Sequence, residues 1–140
     1  MNNVLLDTNV LLDFVMEHRP ESQEACELLR RALGGEIHAI IAATSLKDLY
    51  YILRKEMPDE VCRDWIRAFV RGLTVEPLDI EACVVALESD EPDYEDGCIR
   101  AIAERAGVDF IITRDKKAFA RSFVKAYTAR EFLELFPVEG

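Results

Sequence analysis

Near its N-terminus the chain reads Val4-Leu5-Leu6-Asp7-Thr8-Asn9-Val10-Leu11-Leu12. In this stretch a strand pattern changes to a helix pattern at the polar residue Asp7. The run Val4–Leu6 is unbroken and apolar, as expected of a strand buried on both faces of a parallel sheet. Residues 8–17 continue with apolar side chains on one helical face. Asp7 therefore stands where a buried strand passes directly into a helix, and this order is typical of an α/β fold.

The rest of the chain repeats this alternation of short apolar runs and helical patterns. We expect strands at residues 4–6, 37–42, 73–75, 109–112 and 123–126. We expect helices at 8–17, 20–33, 45–53, 58–72, 80–87, 93–105 and 128–135, with a short one at 116–121. A length of 140 residues fits one domain, and the order of elements predicts a mostly parallel sheet.

Composition limits the classes of function. The chain carries 17 basic and 27 acidic residues, and a net charge of −10 argues against a general nucleic-acid coat protein. It does not exclude a nuclease, because bound metal ions offset carboxylates locally. Without a basic leader or an apolar run long enough for a membrane span, we expect a soluble, cytoplasmic protein.

The four cysteines form no C-x-x-C pair, and only two histidines are present. No Cys/His zinc pattern can be built from this set. We interpret the cysteines as small buried apolar residues in a reducing compartment.

Positive charge is concentrated in residues 111–130, which hold six basic residues and one acidic residue, Asp115. Two interpretations stay open: a solvated surface, or a patch that contacts phosphates. In the second interpretation the candidates for RNA phosphate contacts are Arg114, Lys116 and Lys117.

Four aspartates occupy positions where a helix cap is also expected. Asp7 and Asp115 each follow an apolar strand, while Asp48 and Asp96 are placed in the first turns of their helices. Asp48 comes three residues after Ser45, a spacing that resembles a capping box. Taken singly, each aspartate is explained as a cap that contributes about 1 kcal/mol.

Taken together, the four aspartates predict a metal site. Strand C-termini and helix N-termini share one edge of an open parallel sheet, so the carboxylates can converge there. Two carboxylates at about 4 Å repel by roughly 4 kcal/mol at an effective dielectric constant of about 20. No lysine is obviously placed among all four, so either some are protonated or a cation is bound. Oxygen ligands favour Mg²⁺ or Mn²⁺, and such a site suits phosphodiester hydrolysis, with Asn9 and Thr113 as polar supports.

Three segments resemble, in order, the motifs of PIN domains. Residues 4–12 are similar to the opening strand and D-T-N motif of that family. The segment Asp93-Tyr94-Glu95-Asp96 is similar to its third acidic segment, and residues 111–119 resemble its final T-R-D motif with a trailing phenylalanine. The helix predicted at Ser45 to Leu53 occupies the place of the second acidic position.

The resemblance implies a fold, an activity and partners. The fold would be a three-layer α/β/α sandwich with a five-stranded mostly parallel sheet, forming one nuclease domain over residues 1–140. The activity would be Mg²⁺- or Mn²⁺-dependent endoribonuclease cleavage of single-stranded or structured RNA. Catalysis and metal binding would fall to Asp7, Asp48, Asp96 and Asp115, with Asp93 as a further metal ligand. Proteins of this kind are most often VapC-like toxins, held inactive by an antitoxin protein and commonly homodimers.

The family usually has glutamate where this chain has Asp48, which is one methylene shorter. Together with the acidic net charge, this departure leaves an alternative open: a catalytically weakened PIN-like module that binds RNA or protein. Two other enzyme classes fit less well. A response-regulator receiver would need a phospho-accepting aspartate after the third strand, where the chain has Val75-Glu76-Pro77. A haloacid-dehalogenase-type phosphatase would need D-x-D, where the chain has Asp7-Thr8-Asn9.

Overall fold

The computed structural model of the chain describes residues 2–137, and its centre is one sheet of five parallel strands. The strands are β1 (Asn2–Leu6), β2 (Ile37–Ala42), β3 (Thr74–Glu76), β4 (Phe110–Ile112) and β5 (Lys125–Tyr127). Their order across the sheet is β3-β2-β1-β4-β5, and every pair is parallel. The predicted single domain over residues 1–140 stays a prediction, and residues 1 and 138–140 lie outside the described part.

Within residues 2–137, seven α-helices connect or flank the strands. They are α1 (Thr8–Val15), α2 (Ser22–Leu33), α3 (Ala43–Leu53), α4 (Asp59–Gly72), α5 (Ile80–Glu88), α6 (Tyr94–Ala106) and α7 (Ala129–Leu135), with a 3-10 helix at Lys116–Phe119. No helix within residues 2–137 has the length and apolar character needed to cross a lipid bilayer.

Side chains of β1 alternate between two separate cores. Val4 and Leu6 pack in a cluster with residues of α1, α2, α3, α4 and α7. Leu5, which points to the opposite face, packs with Ile40, Ala42 and residues of α6. Helices therefore cover both faces of the sheet, which confirms the three-layer α/β/α architecture.

The topology places a crevice beside β1. The chain builds β2 and β3 on one side of β1 and then crosses to build β4 and β5 on the other side. In open parallel sheets ligands bind outside the carboxyl ends of the strands where the order reverses in this way. Here that point lies at the ends of β1 and β4, which are the strands that Asp7 and Asp115 follow.

The start of α3 differs from the prediction. Ala42 is extended and ends β2, and the next residue, Ala43, is already helical, without a side-chain cap. Neither Thr44 nor Ser45 caps this helix, because both lie inside it, and the Ser45 hydroxyl is buried without a hydrogen-bond partner. Asp48 consequently lies in the second turn of α3, so its predicted place in the first turn was wrong.

Two smaller expectations were also wrong. The strand predicted at 123–126 begins only at Lys125, because Phe123 lies outside the sheet with 92% of its surface exposed. Cys62 and Cys98 are buried as expected, but Cys26 is exposed on α2. Position 26 lies at the margin of the buried face of α2, which is centred on Ala25, Leu28 and Leu29.

Candidate active site

Asp7 is held from both sides at the junction of β1 and α1. Its backbone N–H donates to the Ile112 carbonyl at 3.0 Å, which ties the residue to the end of β4. One carboxylate oxygen accepts the Thr8 N–H at 2.9 Å, so Asp7 caps α1 as predicted. The other oxygen accepts the Thr113 hydroxyl at 2.9 Å. The carboxylate is thus fixed in one orientation at the topological crevice.

The charge on Asp7 is poorly compensated. Burial raises the pKa of the Asp7 carboxyl, and the negative charges of Asp115 and Asp48 raise it further. The hydrogen bonds from Thr113 and Thr8 lower the pKa, but the net direction is upward. Asp7 is therefore a half-buried carboxyl close to two other carboxylates, with no cation from residues 2–137 paired to it.

Asp96 enters the same electrostatic cluster from α6. It is the third residue of that helix, and its N–H donates to the Asp93 side chain at 3.0 Å, so Asp93 is the N-cap. The pKa of Asp96 is raised to about 6, mainly by burial and then by the negative charges of Asp93, Asp7 and Asp115. This is the behaviour of carboxylates that crowd one another and need a positive charge to remain ionised together.

Asp48 approaches the cleft from α3 and has a lysine beside it. Its side chain is 47% exposed, and the Lys47 ammonium lies 3.6 Å from one of its carboxylate oxygens. The sequence did not lead us to place a lysine here, because adjacent helical residues generally do not face each other. Lys47 therefore supplies a positive charge at the edge of the acidic cluster.

Asp115, Asn9 and Thr113 belong to one hydrogen-bonded network around the loop that follows β4. The Asp115 N–H donates to the buried Thr113 hydroxyl at 3.1 Å, and its carboxylate is exposed and makes no capping bond to the 3-10 helix. Asn9 donates to Thr113 at 3.4 Å and accepts the Arg114 N–H at 3.1 Å. Asn9 and Thr113 thus connect Asp7 to the segment that carries Asp115.

Arg114 has intramolecular partners that the sequence did not suggest. Its guanidinium lies 3.1 Å from Asp13, a carboxylate that is only 1% exposed, and 3.3 Å from Glu21. Asp13 also accepts Arg19 at 2.7 Å. The only sequence signal was that Asp13 lies one helical turn after Asn9, on the face of α1 that reaches the loop.

The two lysines predicted to contact phosphates differ in their surroundings. The Lys116 ammonium lies 2.8 Å from Glu131 on α7. Lys117 is exposed and has no carboxylate of residues 2–137 within ion-pairing distance. The roles of Lys116, Lys117 and Arg114 in contacting RNA stay predictions. Of these three side chains, only Lys117 has no ion-pair partner among residues 2–137.

Three of the four aspartates line one open cleft of about 690 Å³: Asp7, Asp48 and Asp96. The cleft is also lined by Lys47 and Tyr51 from α3 and by Tyr94 from α6. Asp115 does not line it, although its charge reaches both Asp7 and Asp96. The structure thus brings the predicted carboxylates to one edge of the sheet, with Asp115 at the margin.

The carboxylates do not form a closed cage. Within residues 2–137 no group of three or more Asp, Glu, His or Cys side chains lies close enough to hold one metal ion. The donor set is nevertheless made of oxygen atoms, which suit hard divalent cations. Mg²⁺ usually retains several waters and binds through one or two carboxylates, so it does not need a cage of protein ligands.

These features define a class of protein, the parallel three-layer α/β proteins with a carboxylate-lined cleft at the topological switch point. The family model described as PIN domain matches residues 3–117. The chain belongs to the PIN domain family. No curated protein matches the sequence.

Solved structures share the fold at low sequence identity. VapBC2 from Rickettsia felis, bound to a DNA fragment from its promoter, is 17% identical with a TM-score of 0.68, covering 90% of this chain and 98% of that one. VapC20 from Mycobacterium tuberculosis, named as a toxin that cleaves the sarcin–ricin loop, is 14% identical with a TM-score of 0.69, covering 87% and 97%. DNA-bound VapBC from Salmonella typhimurium is 20% identical with a TM-score of 0.68, covering 92% and 99%.

Proposed function

We propose that this PIN domain protein is a divalent-metal-dependent endoribonuclease. The observation that carries the proposal is the half-buried Asp7 carboxyl, which lines one cleft with Asp48 and Asp96. Its pKa is raised by desolvation and by the neighbouring carboxylates, Asp115 included. A cluster of this kind, in a cleft and with Lys47 as its one paired cation within residues 2–137, is typical of a metal-assisted hydrolytic site.

Mg²⁺ or Mn²⁺ would bind in this cluster through one or two carboxylates and coordinated waters, with Asp7, Asp48, Asp96 and Asp115 as the candidate ligands and Asp93 as a further one. When bound, such an ion lowers the pKa of a coordinated water and neutralises charge on the scissile phosphate. The protein's own groups supply the orientation. The Thr113 hydroxyl fixes one Asp7 oxygen and the Thr8 N–H fixes the other. Lys47 offsets part of the charge of Asp48.

The names of the similar structures support a proposal for the molecules that this chain binds. VapC20 is named as an RNA-cleaving toxin, and the Rickettsia and Salmonella proteins are named as VapBC complexes with DNA. By extension, this chain is the VapC-like toxin of a toxin–antitoxin pair, acts on RNA in the cytoplasm, binds a small antitoxin protein and forms a homodimer. The shared fold and the acidic cleft support this proposal.

A second candidate function is a PIN-like module that binds RNA or protein without cleaving. Two observations favour it: Lys47 competes for Asp48, and no three-ligand cage exists within residues 2–137. Binding of a metal does not separate the two candidates, since an inactive domain can retain its carboxylates. Cleavage separates them.

The test is cleavage of a mixed single-stranded RNA pool by the wild-type chain with Mg²⁺ or Mn²⁺, with excess chelator, and after the metal is restored. The nuclease proposal predicts cleavage with metal, none with chelator, and recovery on restoration. Full activity in excess chelator would contradict the metal mechanism. No cleavage in any condition, with RNA still bound, would favour the binding module.

A further inference from the structure

An exposed aromatic ring stands beside the carboxylates. Tyr51 is 68% exposed and lines the same cleft as Asp7, Asp48 and Asp96. It follows Asp48 by three residues on α3, so the two side chains are neighbours on one face of the helix. An aromatic ring of this size is usually covered, and its exposure in a cleft leaves a flat apolar surface for a ligand.

Two lysines flank this ring, one on α3 and one in the turn that follows this helix. The Lys55 ammonium lies over one face of the Tyr51 ring, 4.9 Å from its centre, so a stacking base would use the other face. Lys47, four residues before Tyr51, lines the cleft and lies 3.6 Å from the Asp48 carboxylate. Lys55 has no carboxylate of residues 2–137 within ion-pairing distance. In a chain with a net charge of −10, α3 and the turn after it thus combine an aromatic surface with two positive charges at the edge of an acidic site.

An aromatic ring between cations matches the chemistry of a single-stranded nucleic acid. Nucleobases stack on aromatic side chains irrespective of sequence, while lysines contact the phosphates on either side. A paired base cannot use such a surface, because both of its faces are already covered by neighbours in the duplex.

We propose that Tyr51 is the stacking platform for one unpaired base of a single-stranded RNA, with Lys47 and Lys55 contacting the phosphates that flank it. The inference rests on the proposed ribonuclease function and deepens it. It names the side chain that contacts an unpaired base and places that base next to Asp48, so that the adjoining backbone lies over the carboxylates.

The experiment measures RNA binding in an uncleavable background. The full-length Asp7→Asn variant is titrated with a fluorescently labelled single-stranded oligoribonucleotide and with an abasic ribose-phosphate oligomer of the same length. Tyr51→Ala and Tyr51→Phe are then added to this background. The matched control is Phe123→Ala, which removes another highly exposed ring that does not line the cleft. Circular dichroism melting verifies that each variant is folded.

The stacking platform predicts that Tyr51→Ala weakens binding of the base-containing oligomer about tenfold. Binding of the abasic oligomer should not change. Tyr51→Phe should retain affinity because it keeps the ring, and Phe123→Ala should behave like the background protein. Lys47→Ala and Lys55→Ala should each lower the slope of log affinity against log salt by about 1.

Three results would overturn the inference: an unchanged affinity for the base-containing oligomer in Tyr51→Ala, an equal loss for both oligomers, or no measurable RNA binding by the background protein. A Tyr51→Ala variant that changes only the sedimentation of the protein would assign the ring to a protein interface instead. RNA binding that depends on Tyr51, without cleavage by the wild-type chain, would leave the platform standing and contradict the nuclease proposal.

Discussion

At the scale of single residues, Asp96 shows most directly what the acidic cluster costs the fold. Its pKa is about 6, raised mainly by burial and then by neighbouring carboxylates, while an unfolded chain returns the group to about 3.9. The folded state therefore binds a proton on Asp96 more tightly than the unfolded state does. The resulting contribution to stability is complete below about pH 4 and is lost as the pH rises through about 6.

This linkage predicts the effect of Asp96→Asn on the metal-free protein. The substitution removes the ionised form, so the variant should melt at a higher temperature than the wild type at pH 7, and the difference should shrink towards pH 4. Thermal melting in chelator across this range measures it. The control is Asp64→Asn, which alters an exposed aspartate of α4 outside the cleft. A difference that stays constant from pH 4 to 7 would contradict the crowding of carboxylates around Asp96.

A second prediction concerns Asp13, a buried carboxylate that pairs with Arg19 at 2.7 Å and Arg114 at 3.1 Å. Asp13→Ala leaves both guanidinium groups without their shared partner and should lower the free energy of unfolding by about 2 kcal/mol. Urea denaturation measures the change. Arg130→Ala, which breaks an exposed pair with Glu24, should change little. Equal changes in the free energy of unfolding for the two substitutions would contradict this prediction, because the ion pairs of Asp13 would then contribute no more stability than a surface pair.

At the scale of elements, α6 illustrates how both ends of a helix fix a functional residue. Asp93 caps its start and holds the N–H of Asp96. Gly107 ends it with φ of 68°, a left-handed conformation that costs other residues a steric penalty. The sequence allowed both ends to be predicted, because an aspartate cap and a terminal glycine are local signals.

Gly107→Ala should therefore destabilise the protein by about 1 kcal/mol, since alanine is strained at this φ. Gly107→Asn should cost less, because asparagine tolerates the left-handed region better than other side chains do. Denaturant titration of the two variants measures the difference. If alanine were tolerated as well as asparagine, the helix end would have another conformation.

Local signals failed where a contact joins distant parts of the chain. The start of α3 was predicted too late, since no capping residue marks it and the chain enters the helix directly from β2. The pairing of Arg114 with Asp13 spans 101 positions and leaves no periodic trace in the sequence. Lys47 and Tyr51 were assigned to no site, because their exposure in the cleft depends on how α3 packs against β2 and α4.

At the scale of the whole molecule, the alternation of strands and helices was enough to predict a parallel sheet. Its strand order requires knowledge of which strands pair, and no order was predicted from the sequence, because periodicity does not indicate pairing partners. The order β3-β2-β1-β4-β5 then explains why Asp7 and Asp115, more than 100 positions apart, belong to one site.

A bound cation should stabilise this assembled site as a unit. We expect Mn²⁺ in large excess over its dissociation constant to raise the melting temperature, with about 2.7 kcal/mol of added stability at 100 times that constant. The stabilisation should be larger at pH 7 than at pH 5, because protons compete for the carboxylate whose pKa is about 6. Asp7→Asn should abolish most of it. An identical shift in Asp7→Asn would place the cation elsewhere on the protein.

Cleavage of a mixed single-stranded RNA pool with Mg²⁺ or Mn²⁺, by wild type, Asp7→Asn and Asp64→Asn prepared identically, tests the central claim most directly. The account predicts that wild type and Asp64→Asn cut the RNA while Asp7→Asn, folded and equally concentrated, does not. Equal cutting by all three proteins would contradict it, because the activity would then not depend on the carboxylate at the centre of the proposed site.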